Sequence, residues 1–198
     1  MQPMTSRTTS RRAFAAAFFA CALVGVAGAA TPAAPPESTL REQLQEARWP
    51  ADIVGVAERY ASSYPQGPAA AAARADLDVA RKTKRLLERS DIRLYRNDFT
   101  VRGGPALHVD LRKAALADKD AAERIAHFYR DGEGGLEANP SRYIGWLQYS
   151  AALGNGPASY ELAVHYRKSD QPALAAPYEA RAEELGFNAP PALDNVRK

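Results

Sequence analysis

The chain is poor in cysteine and histidine, the residues that stabilise folds through disulfide bonds or bound metal ions. Of its 198 residues one is cysteine, Cys21, and three are histidine. A lone cysteine closes no disulfide within the chain and leaves a thiolate zinc site without partners. None of the histidines lies in an HExxH motif; they are His108, His127 and His165. We therefore expect no metal site and a fold stabilised by packing alone.

Motifs that carry catalysis are also missing. The chain has no GxSxG nucleophile turn and no GxGxxG phosphate loop, and Gly103-Gly104 lacks the strand that such a loop follows. Asp131-Gly132-Glu133 has the wrong ligand spacing for a twelve-residue calcium loop. We expect no catalytic residues and no cofactor, so the sequence favours a protein that is not an enzyme. The less favoured alternative is an envelope-polymer enzyme, which a carboxylate or histidine buried in a pocket would support.

Excess positive charge is confined to the N-terminus. Arg7, Arg11 and Arg12 precede the first acidic residue, Glu37, and the 23 basic residues that remain equal the 23 acidic ones. Because a nucleic-acid-binding domain is usually strongly basic, the neutral composition of residues 31–198 argues against a nucleic-acid partner.

Residues 1–30 have the composition of a secretory signal peptide. An apolar or small-residue run from Ala13 to Ala30 follows the arginines and contains Ala27-Gly28-Ala29, the small residues that a signal peptidase requires. We expect a cleaved leader, no membrane segment afterwards, and a periplasmic or secreted bacterial protein. The alternative is an uncleaved anchor, since this run is at the lower limit of a membrane span. The pair Arg11-Arg12 also fits the twin-arginine export route.

The most informative feature of the chain is an internal repeat. Residues 116–130 recur 37 positions later. The matched pairs are Leu116 and Leu153, Ala121 and Ala158, Ile125 and Leu162, Ala126 and Ala163, Tyr129 and Tyr166, and Arg130 and Arg167. A repeat of this length is typical of stacked helical hairpins, since one hairpin cannot bury its apolar face alone. The same apolar spacing occurs earlier, at Ile53, Val56, Ala57 and Tyr60.

Residues 116–186 resemble the Sel-one-like repeats, which are relatives of the tetratricopeptide repeat. Three elements carry the resemblance: Ile125-Ala126-x-x-Tyr129, the turn Gly132-x-Gly134-Gly135, and Trp146 followed by Ser150-Ala151 and Gly154. The resemblance implies an all-α fold, a right-handed α-solenoid of helical hairpins, whose first helices line a concave protein-binding surface. The second copy is shorter, because Trp146 and Tyr178 are 32 rather than 37 positions apart.

These patterns divide the chain into six segments. They are the signal peptide, a linker, tetratricopeptide-like helices, a joint, the Sel-one-like repeats and a tail, at 1–30, 31–37, 38–98, 99–106, 107–187 and 188–198. The joint has strand propensity at Phe99 to Val101 but is too short for a sheet, so we expect it to be extended and irregular. We also expect Tyr60, Tyr129 and Tyr166 to pack between neighbouring helices.

The candidate partner-binding residues lie off the apolar stripe of the first helices. They are Asp120, Glu123, His127, Arg130, Tyr160 and Arg167. Tyrosine and arginine are frequent binding anchors, so we expect a non-catalytic scaffold or adaptor that binds a protein partner on its concave face. The alternative is an accessory protein of cell-envelope polysaccharide assembly or export. An anionic partner would then bind the basic block 81–102, whose simpler interpretation is a solvated helix face.

Overall fold

The structure is a computed structural model that describes residues 34–187. All regular structure in this range is helical, which confirms the predicted all-α class. The helices are α1 (Glu37–Glu46), α2 (Pro50–Ser63), α3 (Ala70–Leu87), α4 (Arg96–Phe99), α5 (Pro105–Ala115), α6 (Lys119–Asp131), α7 (Pro140–Ala152), α8 (Gly156–Lys168) and α9 (Pro172–Glu184). None of them is long and apolar enough to cross a membrane. The predicted signal peptide, the first residues of the linker and the C-terminal tail lie outside the described residues.

Prolines and capping side chains determine where the helices begin. The helices α2, α5, α7 and α9 each start at a proline, whose missing N–H would have no partner in the first turn. In the repeats, Asp118, Asn139 and Asn155 accept hydrogen bonds from backbone N–H groups in the first turns of α6, α7 and α8. Helix α6 ends at Asp131 and is capped by Gly132, whose φ of 72° is a left-handed conformation that glycine adopts without strain.

The helices pack in sequential pairs. Helix α2 packs on α3, α6 on α7, and α8 on α9. The first helices of the two predicted repeats are α6 and α8, and equivalent apolar positions on them are equally buried. Exposure is at most 1% at Ala121 and Ala158, Ile125 and Leu162, and Ala126 and Ala163. The 37-residue pattern therefore corresponds to a repeated packing stripe, as the spacing predicted.

The joint differs from the prediction. Phe99 was expected in an extended segment, but it is the last residue of the one-turn helix α4 and is fully buried. Its ring lies 5.2 Å from that of Trp49, 4.8 Å from that of Trp146 and 5.9 Å from that of Tyr149, measured between centroids. The irregular part is limited to residues 100–104. The physical reason is that burying an aromatic ring among three others outweighs the local strand propensity.

The repeated tyrosines lie against neighbouring helices, as expected. Tyr60 is fully buried and Tyr129 is 4% exposed. Tyr166 is half-buried, and its ring stacks on Tyr178 of α9 with centroids 5.7 Å apart. The hydroxyl of Tyr60 also donates to Oε1 of Glu37 at 2.5 Å, which ties α1 to α2.

The buried tyrosines predict a loss of stability at alkaline pH. Burial raises the pKa of Tyr178 to about 12, and it also raises the pKa of Tyr129 and Tyr149, against about 10 in an unfolded chain. A group whose pKa is higher in the folded protein contributes its full stabilisation at any pH below the pKa that it has in the unfolded chain. That stabilisation is lost as the pH rises to the pKa of the group in the folded protein. We expect the free energy of unfolding to fall between about pH 10 and 12.

Denaturant melts across this pH range, recorded together with tyrosinate absorbance, check this expectation. The Tyr178→Phe variant is the control, because it should lose less stability than the wild type over the same interval. Stability that stays level through about pH 12 would contradict the burial of these hydroxyls.

Candidate functional site

Two surfaces that combine side chains from several helices are candidate sites. The first, which we call the α6–α8 seam, consists of Asp120, Glu123, His127 and Arg130 of α6 together with Asn155 and Glu161. Asn155 caps α8, and its Nδ2 donates to Asp120 at 3.2 Å and to Glu123 at 3.0 Å. The structure thus brings four of the six predicted partner-binding residues to one place.

Glu161 joins three helices at the other end of the seam. Its Oε1 accepts hydrogen bonds from the Tyr143 hydroxyl at 2.7 Å and from Nη1 of Arg130 at 3.1 Å. Its Oε2 lies 2.9 Å from Nε2 of His127. Burial raises the pKa of Tyr143, and the hydrogen bond to Glu161 raises that pKa further, so the hydroxyl keeps the proton that it donates. Donors from α6 and α7 therefore hold this carboxylate in a defined orientation.

The charge of Arg130 is largely neutralised beside the seam. Its Nε and Nη2 each donate to the Asp131 carboxylate at 2.9 Å. This hydrogen-bonded pair raises the pKa of Arg130 and lowers the pKa of Asp131. Arg130 therefore does not by itself balance the carboxylates of Glu123 and Glu161, and the seam remains a region of negative charge.

The seam is not the open concave surface that the sequence predicted. Glu123 and His127 are half-buried, while Asp120 and Arg130 at its two ends are exposed. The reason is that Asn155, at the start of α8, reaches back to α6. The predicted face of α6 is therefore an interhelical contact, and its polar groups are already bonded to one another.

The other two predicted residues lie elsewhere. Tyr160 was expected to face outward, but it is 6% exposed and its ring lies 5.5 Å from that of Phe187. Arg167 is directed at α9, where its Nη2 donates to Glu179 at 2.6 Å. The expected exposure of Tyr160 is wrong, because Phe187, three residues beyond the end of α9, packs against it. Arg167 is engaged in holding the α8–α9 pair.

The basic block 81–102 is partly paired with acidic side chains. Four of its eight basic residues form ion pairs with N–O distances of 2.7 to 3.7 Å: Arg81 with Glu58, Lys84 with Glu88, Arg89 with Asp91, and Arg96 with Asp52. Exposed pairs of this kind contribute little stability, but each reduces the positive charge that an anionic partner would meet. The anionic partner at this block stays a prediction, and these pairs weaken it.

The second surface is a groove of about 810 Å³ between the α4 segment and helices α7, α8 and α9. We call it the Tyr95 groove. Its lining includes two large apolar side chains, four carboxamides and four charged or titratable side chains: Tyr95 and Leu174; Asn97, Asn139, Gln148 and Gln171; Arg93, Asp98, Arg142 and His165. Tyr95 is 70% exposed and Leu174 is 49% exposed, although both are large and apolar. Each of the four carboxamides can donate and accept hydrogen bonds.

The floor of the Tyr95 groove depends on a close approach of α7 to residues 92–95. A Cβ at Gly145 would lie 2.9 Å from the carbonyl oxygen of Arg93, so only glycine allows this contact. On the same helix, Gln148 is 8% exposed, and its Nε2 donates to the Tyr166 hydroxyl at 3.1 Å. The Oε1 of Gln148 accepts no hydrogen bond within the described part of the chain.

Asp98 holds the exposed Tyr95 next to α7. It is 4% exposed, and its Oδ2 accepts a hydrogen bond from the backbone N–H of Tyr95 at 2.7 Å. Its Oδ1 forms an ion pair with Arg142 of α7. Both oxygens of this buried carboxylate are therefore engaged, and the residue positions the groove wall. Both oxygens of Asp110 are engaged as well: this residue is 7% exposed, and each of its oxygens accepts a hydrogen bond from Arg124.

Sequence reasoning missed several residues of both surfaces. Asn155, Glu161 and Tyr143 are not among the candidate residues that the sequence pattern predicts. A sequence sign of capping is present at the start of α8, where Asn155 precedes a proline in the first turn. No comparable sign marks the Tyr95 groove, because its residues come from separate segments that only the folded chain brings together.

Comparisons with known proteins give no match: no protein-family model, no curated protein and no solved structure matches the chain. The resemblance to Sel-one-like repeats therefore stays a prediction that depends on the residues between 116 and 186. Function has to be argued from the geometry of the two surfaces.

Proposed function

We propose that the protein is a non-catalytic binding protein that holds an extended segment of a protein partner in the Tyr95 groove. The observation that carries this proposal is the pairing of two exposed apolar side chains, Tyr95 and Leu174, with a groove whose lining includes four carboxamides. In the proposed assembly the helical pairs form a right-handed stack of the Sel-one-like type. The signal peptide would place the protein in the periplasm or outside the cell.

The chemistry of the groove fits a peptide backbone. An extended peptide presents N–H and C=O groups in alternation, and carboxamide side chains such as Asn97 and Gln171 can bond to both. Tyr95 and Leu174 supply apolar contact area for the side chains of the partner, and tyrosine is enriched among residues that dominate binding energy. An open groove of this composition suits recognition of a chain segment better than enclosure of a small molecule.

The buried carboxylates also support binding over catalysis. Asp98 and Asp110 are each held by an arginine. A general acid or base needs a position from which it can reach a substrate proton, and a carboxylate with both oxygens engaged is poorly suited to that task.

The test compares three immobilised proteins exposed to an envelope extract: the wild type, Tyr95→Asp and Val109→Asp. Val109 is a matched control, since it is 53% exposed on α5 and lies outside the groove. We expect one or more proteins to be retained by the wild type and by Val109→Asp but not by Tyr95→Asp. With the purified partner, Tyr95→Asp should weaken binding by about 30-fold, which is about 2 kcal/mol.

Two results would contradict the proposal. The first is a partner that is retained equally by all three proteins, since the groove would then not be its binding site. The second is a ligand that dissociates at moderate salt and is lost when charges of the 81–102 block are reversed at Lys82 and Arg85. That result would favour an acidic polysaccharide.

A further inference from the structure

The α6–α8 seam brings together three side chains with the chemistry of metal ligands. Single ligand atoms of Glu123, His127 and Glu161 all lie within 4.8 Å of one another. An imidazole with two carboxylates is a donor set that zinc accepts, with bonds of about 2.0–2.2 Å. Ligands at tetrahedral angles around such an ion are about 3.4 Å apart, so these separations would have to shorten by at most about 1.4 Å.

We propose that Glu123, His127 and Glu161 form a binding site for a divalent transition-metal ion, with Zn²⁺ as the expected ion. Glu123 and His127 are four positions apart on α6, so both lie on the same face of that helix. Glu161 approaches them from α8. Three protein ligands leave at least one coordination position open to water or to a group from a partner.

Surrounding hydrogen bonds orient both carboxylates for this role. Asn155 donates to Oε2 of Glu123, and no donor among residues 34–187 bonds to its Oε1. Tyr143 and Arg130 donate to Oε1 of Glu161, which leaves Oε2 on the side of His127. In metal sites, outer hydrogen bonds of this type fix the ligand geometry and strengthen binding.

The site is accessible and has the appropriate charge. The side chain of His127 is 34% exposed and that of Glu161 is 27% exposed, so an ion can reach both from solvent. Arg130 donates to Glu161, but Asp131 takes up much of its charge. The ion would replace the direct contact between Nε2 of His127 and Oε2 of Glu161, and the imidazole would bind it in the neutral form.

Titration calorimetry with Zn²⁺ tests the site, on full-length protein that carries no histidine tag and has been treated with a chelator. We expect one ion per chain for the wild type and no stoichiometric binding for His127→Ala or for Glu161→Gln. Tyr143→Phe removes an outer hydrogen bond only, so it should weaken binding about 10-fold. His108→Ala is the matched control, because it removes a histidine of α5 that is not part of the seam, and it should bind as the wild type does.

Co²⁺ gives a second readout, since its visible spectrum reports the number and type of its ligands. We expect a spectrum of low-coordinate Co²⁺ that His127→Ala abolishes while its far-ultraviolet circular dichroism stays unchanged. The proposal is overturned if the wild type takes up no ion, or if His127→Ala and His108→Ala bind equally. It is also overturned if Ca²⁺ binds as tightly as Zn²⁺ irrespective of His127, since the site would then be a set of carboxylates alone.

Discussion

Replacing Phe99 by alanine is expected to lower the free energy of unfolding by about 4 kcal/mol. The phenyl ring is fully buried, and it is in contact range of three aromatic rings, those of Trp49, Trp146 and Tyr149. Its removal loses the transfer free energy of the ring and leaves a cavity that rigid aromatic neighbours fill poorly. Trp49 precedes α2 and the other two rings belong to α7, so this cavity would open where distant parts of the described chain meet.

Chemical denaturation of Phe99→Ala, with Tyr95→Ala as the matched control, measures this effect. Tyr95 lies four residues earlier in the same segment but is 70% exposed. Its truncation should change the free energy of unfolding by no more than about 0.5 kcal/mol. If the two variants unfolded at the same denaturant concentration, Phe99 could not be the centre of an aromatic core.

The repeat could be predicted from sequence because its signals are local. Helix starts at Asn139-Pro140, the left-handed glycine Gly132 and the apolar stripe through Ile125 all depend on residues within a few positions of one another. The apolar stripe also recurs in the second copy, where Leu162 matches Ile125, although the glycine at the end of α6 does not. The segment around Phe99 has no such copy, and its conformation depends on rings about 50 residues away in either direction along the chain.

The same argument explains the outcome for the candidate site residues. The spacing of Asp120, Glu123, His127 and Arg130 places them on one face of α6, and the structure agrees. The residues that cover that face depend on how α6 and α8 are aligned against each other. The spacing of residues within α6 does not predict this alignment. Glu161 contributes to the seam, whereas its sequence neighbour Tyr160 points to Phe187. Successive residues of a helix are rotated by about 100° around its axis, so Glu161 lies in the seam while Tyr160 lies in the core.

The two surfaces are connected through helices α7 and α8. Tyr143 of α7 donates to Glu161 in the seam, and one turn further along, Gln148 bonds to Tyr166 at the floor of the Tyr95 groove. Because both contacts join the same two helices, an ion that fixes Glu161 would also restrain the helices that form part of the groove. Partner affinity measured with and without Zn²⁺ therefore reports whether the two proposed sites are coupled.

Replacing Asp98 by alanine is expected to lower the free energy of unfolding by about 3 kcal/mol. The carboxylate is 4% exposed and performs two tasks: it accepts the Tyr95 N–H at the start of α4, and it pairs with Arg142 of α7. Its loss leaves a donor of the α4 turn unsatisfied and a half-buried guanidinium without its counter-charge, and both changes are unfavourable. Asp98→Asn should cost less, since the amide oxygen can still accept from Tyr95.

Asp91→Ala is the control for Asp98→Ala, because Asp91 also pairs with an arginine but is 49% exposed, and its loss should cost at most about 1 kcal/mol. A double-mutant cycle with Arg142→Met isolates the ion pair. We expect the double variant to be less destabilised than the sum of the single variants by at least about 1 kcal/mol, since the arginine is no longer left unpaired. Additive losses would mean that Asp98 acts only through the Tyr95 N–H. The wall of the Tyr95 groove would then be held by the α4 turn, and its position would not depend on α7.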